Sequence, residues 1–479
     1  MAKTNKKFYV TTAIDYVNGP PHIGHAIQKV WADTIARFHR QKGFNVWFLT
    51  GTDEHGASVV RAAERLNKTP RELADENAAK FRGLREILNL SWDDFIRTSD
   101  KKRHWPGAEL MWQKLVESSD IYKKHYRGLY CVGHEAFVTA KDLIGGKCAL
   151  HGQEPEVVDE ENYFFRLSRY SKEIESKIKS NELTIIPESR KNEILSFIKN
   201  GLEDVSFSRP VKDISWGIPV PNDPSHTMYV WCDALTNYLS AIGYGRDDNW
   251  EKWWPCDIHV LGKDNLRFHA AIWPGMLLSA GLPLPRALFV HSFINVNGQK
   301  MSKTVGNIIS PYELVEKYGT DAVRYYFLRE ISSYEDGDFT YGKFKKRYNA
   351  DLAKGLGNFV SRVLTLAQKG KIKAVKNKVF ASEIARVEKS IEKSLSVFKF
   401  NDAISLIWQL VSIGDKYIDD KKPWTLKPES KEFKEIIGSL LFLISNIGTL
   451  LLPFLPETSE KISEQLKNRK ISILFPQLK

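Results

Sequence analysis

Residues 20–26 read PPHIGHA, set between the strand-like run KKFYVTTAI (6–14) and the stretch IGHAIQKVWADTIARFHRQKG (23–43). In the second stretch Ile23, Ile27, Val30, Trp31, Ile35 and Phe38 recur at helical spacing and Gly43 closes the helix. A second strand pattern, NVWFLTGT (45–52), follows. Strand, helix, strand in that order predicts a right-handed parallel unit. Ligands of such sheets gather at the carboxyl ends of the strands, where helix N-termini point outward. PPHIGHA sits at such a place. The helix end offers free N–H groups and partial positive charge, which favour a phosphate. His22 and His25, three apart, share one side of the first turn. No GxxxxGK[ST] loop is present, so a phosphate here is held differently from one in a P-loop. A metal pair would prefer a four-residue spacing and a third ligand nearby. The bland alternative is two histidines that face only the helix's own first turn.

Outward from this stretch, helical patterns at 57–67 and 71–89 continue the α/β order. Between 119 and 220 the texture changes to short β-like pieces, GLYCVGHEAFVT and ENYFFRLS, then two helices from Ser168 to Leu202, which read as an insertion. The α/β pattern resumes with DIHVLG (257–262), a helix over 264–281, the strand ALFVHSF (287–293) and the turn NVNGQKMSKTVGN (295–307). From about Phe344 only helical patterns appear until a strand-like ISILF (471–475), with a basic linker KGKIKAVKNKVF (369–380). The expected fold is α/β, a split Rossmann-like doubly wound parallel sheet with an inserted connective module and a C-terminal α-helical bundle. Its segments are 1–118 (first sheet half), 119–224 (insert), 225–292 (second half), 293–343 (loop and connecting region) and 344–479 (bundle).

Composition bounds the class. Apolar content of 42% and charged content of 27% are those of an ordinary globular protein. The most apolar run, IIGSLLFLISNIGTLLLPFLP, is interrupted by Ser, Asn, Gly and Pro and reads as a buried helix pair, so no membrane partner is expected. The start, MAKTNKKF, is too short and polar for a signal or transit peptide, and four cysteines suit a reducing compartment, so a cytoplasmic location is expected. The net charge of +12 is uneven: residues 344–479 hold 25 Lys/Arg against 14 Asp/Glu, the remainder 45 against 44. A basic rear suits a polyanion, most simply nucleic acid, although solvated lysine faces give the same count.

A second chemistry-bearing stretch is QKMSKTVGN (299–307). Lys300 and Lys303 flank a turn beside Gly298 and Gly306. Lysines on a glycine-edged loop can close over a triphosphate and balance charge in a transferring phosphoryl group. Alone, the loop could equally be a solvated basic turn. A third is the pair Cys131-Val-Gly-His134 and Cys148-Ala-Leu-His151, whose four N/S ligands suit tetrahedral zinc.

PHIGHA and KMSKT together resemble the HIGH and KMSKS signatures of class I aminoacyl-tRNA synthetases, with Thr304 for the usual Ser. AIDYVNGPPHIGHA, TGTDEHG, YVWCDALTNY, GKDNLRFHAAIWP and VNGQKMSKTVGN narrow the resemblance to the methionyl-tRNA synthetase family, essentially end to end. The resemblance implies ATP and Mg²⁺, with His22, His25, Lys300 and Lys303 at the phosphates as the catalytic set and Asp264 at the ribose; Asp264 as a helix cap is the alternative. It implies a methionine pocket of Ile14, Tyr16, Asp53, Trp231, Ala234, Leu235, Tyr238, Leu266 and His269. In it Asp53 takes the ammonium, and Trp231, Tyr238 and His269 surround the thioether. Aromatic faces suit that group, each sulfur contact contributing roughly 0.3–1.5 kcal/mol. Asn265 stands where the family often has an apolar residue, and Asp15 replaces a commoner Pro.

A structural Zn²⁺ on Cys131, His134, Cys148 and His151 is also implied, with His134 where the family commonly has Cys. Asn358 and Arg362, one helical turn apart, and Trp424 in KKPWTLK match positions that meet the CAU anticodon, Trp424 as a stacking platform. Packing in a helix crevice and capping of a turn are the alternatives. The implied reaction is ligation of L-methionine to tRNA(Met) through methionyl-adenylate; another class I synthetase or a non-catalytic tRNA-binding paralogue are the alternatives. No appended β-barrel follows the bundle, so a monomer is expected. All of this requires segments nearly three hundred positions apart to converge on one triphosphate.

Overall fold

The protein is described by a computed structural model covering residues 6–131, 136–138, 142–149, 152–301, 306–370 and 372–479. The first strand run forms β1 (Lys7–Thr12), and the two-residue β2 (Asp15–Tyr16) continues it after a step at Ala13. Then follow α1 (Ile23–Gln41), β3 (Asn45–Asp53), α2 (Ala57–Arg65), α3 (Pro70–Ile87) and β4 (Asp94–Arg97). Further on, β5 (Thr184–Ile186), β6 (Ile258–Gly262) and β7 (Ala287–His291) complete one parallel sheet. Its order is β5-β7-β6-β1-β3, with β2 and β4 also paired to β3. β6 is buried at every position, as a parallel strand covered on both faces should be. From β1 the chain moves outward to β3 on one side and later to β6 and β7 on the other. The order therefore reverses between β1 and β6, where the Ala13 N–H donates to Val260 O at 2.9 Å. That reversal is the crevice in which open sheets bind ligands.

Two expectations need correction. Residues 184–186 lie inside the segment read as an insertion, yet they pair in parallel with β7 (Thr184 opposite Ala287) as an edge strand of the main sheet. The insert is therefore split. Its own part is an antiparallel pair, Ile121–Cys131 with Glu156–Phe165, plus short strands to Met228. ISILF forms no strand and pairs with none among the described residues; Leu474 and Phe475 instead cover the bundle core.

The rear is helical: α4 (Pro311–Tyr318), α5 (Thr320–Arg329), α6 (Asn358–Gln368), α7 (Lys378–Leu395), α8 (Phe400–Lys421), α9 (Lys431–Leu451) and α10 (Pro456–Asn468). α9 is long and apolar enough to cross a membrane, but its Leu440, Leu443, Ile444 and Ile447 are buried in the bundle. One apolar core runs from α1 and the sheet through α5 into these helices, with Trp31 stacked on Phe400 (5.9 Å) and Phe289 on Phe398 (4.5 Å). Arg324 of α5 sits fully buried in that core. It donates to Phe454 O (2.8 Å), Leu88 O (3.0 Å) and Pro453 O (3.3 Å), and pairs with Asp33 of α1 at 2.8 Å.

Candidate active site

The first turn of α1 answers what the two histidines face. His22 is the N-cap: its Nδ1 accepts from the Gly24 N–H (3.1 Å), while the His22 N–H donates to Nδ1 of His25 (3.2 Å). This is a capping box built from imidazoles in place of Ser and Glu. With both Nδ1 atoms accepting, the proton of each neutral ring is on Nε2. The rings stack at 3.8 Å, so two Nε2–H donors stand side by side at the helix end. His25 is half-buried with Phe81 edge-on to its ring, and desolvation, then the nearby Lys29 charge, push its pKa down to about 3. The rings therefore serve the helix's own first turn through Nδ1, as the bland alternative in the sequence expected.

The distant loop does meet this turn. The Met301 methyl lies 3.4 Å from where a Cβ on Gly24 would stand, and the Ile23 N–H donates to Ile309 O at 3.1 Å. Lys300 is exposed, 5.9 Å from the Phe293 ring, and with Lys263 it is a cation acting on the Asp264 carboxylate. Lys303 lies outside the described residues. Desolvation raises the Asp264 carboxyl, opposed by backbone hydrogen bonds at Asp264 and Asn265 and by the two lysines; the short turn Lys263–Asn265 has Gly262 as its N-cap.

The structure brings the residues expected around methionine together in and against one apolar cluster. Tyr16 stands opposite Asp53 in register, and Asp53 is 3% exposed. Ile14 and Tyr16 are half-buried against the same core as Trp231, Ala234, Leu235, Tyr238 and Leu266. Trp231 stacks on Phe268 at 3.4 Å and 11°. His269 Nδ1 lies 3.0 Å from Asn265 O, which can only accept, so Nδ1 carries the proton and Nε2 accepts from the Tyr238 hydroxyl at 2.7 Å. Burial pushes the His269 pKa down to about 4, so the ring is neutral at pH 7. Asn265 therefore orients His269 through its backbone, and its side-chain amide donates to Asp264 Oδ1 at 3.3 Å.

Sequence reading missed part of this constellation. Asp233 accepts at 2.5 Å from His55 Nδ1 and at 2.6 Å from His104 Nε2, and His104 Nδ1 lies 2.8 Å from Ser240 Oγ, all buried. Burial raises the Asp233 carboxyl, but the two imidazoles outweigh it and the net shift is downward. The network ties the end of β3, which carries Asp53, to the helix Val230–Leu235, which carries Trp231. His55 and Asp233 were visible inside TGTDEHG and YVWCDALTNY; His104 had no local signal. Phe268 was likewise missed.

In the insert, Cys131 and Cys148 are buried in one small cluster with Val138. His134 and His151 lie outside the described residues, and among the described residues no group of three or more metal-ligating side chains occurs. In the bundle, Asn358 is exposed and one turn from Arg362, whose guanidinium carbon is 6.0 Å from the Trp424 ring. Trp424 is 49% exposed, so it fills no crevice. Arg362 is also paired with Asp419 (2.6 Å) and Asp415 (3.4 Å).

Comparison with known proteins covers both halves. A model of class I tRNA synthetases (M) matches residues 8–145 and 136–364, and one of the anticodon-binding domain of tRNA ligases matches 377–478. The chain is 41% identical to the methionine–tRNA ligase of Brucella melitensis biotype 1 over 97% of its length and 92% of that protein. It is 42% identical to the Bacillus subtilis enzyme of the same name over 97% of its length and 74% of that protein. Among solved structures, Mycobacterium tuberculosis methionyl-tRNA synthetase in complex with methionyl-adenylate superposes with a TM-score of 0.90, at 36% identity and 98% coverage of each chain. The apo form of that protein gives 0.85 at 33% identity, covering 100% of this chain and 99% of the other.

Proposed function

The chain belongs to the methionyl family of the class I tRNA synthetases, and on that premise we propose how its own residues carry the family's reaction. The enzyme activates methionine with ATP and charges tRNA with it. In the first step the methionine carboxylate attacks the α-phosphorus in line, forming the acyl–phosphate bond and releasing pyrophosphate. His22 and His25 donate from Nε2 to phosphate oxygens, and Lys300 and Lys303 close from the opposite side. Asp264 accepts from the ribose. Mg²⁺, when bound, supplies further neutralisation of the triphosphate. Neither histidine acts as a nucleophile or a base: His25, with its pKa pushed down to about 3, is a neutral donor, and positioning with charge stabilisation suffices for the step.

The amino acid lies beside this turn. Asp53 pairs its ammonium, while Trp231, Tyr238 and neutral His269 hold the thioether, with Ile14, Tyr16, Ala234, Leu235 and Leu266 completing the wall. In the second step the terminal 2′-hydroxyl of tRNA(Met) attacks the adenylate carbonyl and AMP leaves. Asn358, Arg362 and Trp424 read the anticodon, an assignment supported by the exposed indole beside the guanidinium. A structural zinc on Cys131, His134, Cys148 and His151 stiffens the insert; the donor set is competent, and the two thiols share one cluster. The protein acts as a monomer.

The observation that carries this reading is the approach of Met301 and Ile309 to the first turn of α1. Its test is Lys303→Ala in methionine-dependent ATP–pyrophosphate exchange. Loss of one such donor lowers kcat by roughly 10²–10³. Exchange at a near wild-type rate in a folded variant would remove this loop from the reaction.

A further inference from the structure

Asp15 is 8% exposed and Lys29 is not exposed at all, and the two form an ion pair in the interior, on β2 and α1 respectively. Taking both charges out of water costs more than their attraction returns unless the geometry is very good, and an apolar pair of similar volume usually serves stability as well or better. Stability alone therefore does not account for the pair. Its location does suggest a purpose. Lys29 is four residues after His25 and seven after His22, so all three share one face of α1. The Lys29 ammonium lies 5.8 Å from the Phe81 ring, Phe81 meets His25 edge-on at 5.1 Å, and His25 stacks on His22. On the other side Asp15 immediately precedes Tyr16, which stands in register with Asp53. The pair thus joins β2, which carries Tyr16, to α1, which carries His22 and His25.

We propose that Asp15 and Lys29 are a positioning pair that fixes the two substrates relative to each other, setting the rate of adenylate formation and not the affinity for either one. This rests on the reading that α1 holds ATP and that Tyr16 and Asp53 flank methionine. Misplacement by about 1 Å at a distance from the chemistry can cost on the order of 10²-fold in rate.

The test replaces both charges together, as Asp15→Leu with Lys29→Met, so that no lone buried charge remains. The double variant is expected to unfold at or above the wild-type temperature. Its kcat in pyrophosphate exchange should fall at least tenfold while KM for methionine and for ATP stays within threefold. A folded double variant with kcat within threefold of wild type would overturn the proposal, as would a change confined to KM. Failure to fold would make the pair structural and overturn it too. Asp15→Glu gives an independent reading, since it keeps both charges but lengthens one arm; kcat should fall about fivefold or more with thermal unfolding little changed, and wild-type kcat in that variant also refutes the idea. His25→Asn is the control for the underlying reading. If it exchanges normally, the assignment of α1 to ATP fails; if it is crippled while the double variant is not, only the positioning role fails.

Discussion

Replacing Gly24 by alanine pulls fold and chemistry apart at the first turn of α1. A Cβ there would stand 2.8 Å from Cε1 and 2.9 Å from Nδ1 of His22, and 3.4 Å from the Met301 methyl. The backbone cannot retreat, because the Ile23 N–H is tied to Ile309 O, so the His22 ring must swing away. The cap bond from the Gly24 N–H is lost, at a cost of about 1 kcal/mol. Alanine in place of glycine in a helix returns roughly 0.8–1 kcal/mol. The two nearly cancel, and stability should change by less than about 1 kcal/mol. Catalysis has no such compensation. One of the two stacked Nε2–H donors is misdirected and Met301 is displaced, so kcat in pyrophosphate exchange should drop by roughly 10²–10³. Thermal unfolding and methionine-dependent exchange on the same preparation decide the matter. Exchange within threefold of wild type would refute the capping-imidazole account, and so would an activity loss that merely tracks unfolding.

Trp424→Ala should leave pyrophosphate exchange untouched while raising the KM for tRNA in aminoacylation roughly ten- to hundredfold, the worth of one stacked base; an unchanged KM for tRNA would return the indole to a passive surface role. Asp321 of α5 is buried and accepts from the Thr458 N–H, and burial pushes its carboxyl up to about 6 from the usual 3.8. A carboxyl raised in the folded state contributes stability that is complete below about pH 4 and lost as pH rises through about 6, here about 3 kcal/mol. Asp321→Asn keeps the acceptor and has no charge to bury, so its unfolding temperature should exceed wild type at pH 7.5 and not at pH 4; parallel curves for the two proteins would contradict this. Cys148→Ser should abolish binding of about one zinc per chain, measured by elemental analysis; wild-type protein that purifies without zinc from zinc-replete medium would remove the metal from the insert.

Much of the fold was legible because it rests on local pattern. β1, α1, β3 and β6 announce themselves by apolar runs and by 3.6-residue spacing, and the crevice follows from their order. β5 was not legible: TII is three residues between two helices, too short to carry a period, and only its partner at Ala287 makes it a strand. The opposite error, ISILF, has the composition of a strand but pairs with no strand among the described residues. At the site, the quoted motifs contained His22, Asp53, Trp231 and Tyr238, but the roles of their neighbours depend on contacts between distant segments. Lys29 looks in sequence like a solvent-facing lysine on an amphipathic helix, and His104 like a loop histidine. Each acquires meaning only from a carboxylate, at position 15 or 233, that lies on a different element and that no helical or strand period relates to it.

Arg324 has a practical consequence for anyone who would dissect the molecule. Its guanidinium is anchored at once to the turn after α9, to the end of α3 and to α1. A fragment ending near residue 343 would retain the positive charge and the Asp33 contact but forfeit the Pro453 and Phe454 carbonyls, and would bare the aromatic seam around Trp31 and Phe289. Excised catalytic halves should therefore precipitate or melt early, and the full chain should unfold in one calorimetric transition despite its patchwork of segments.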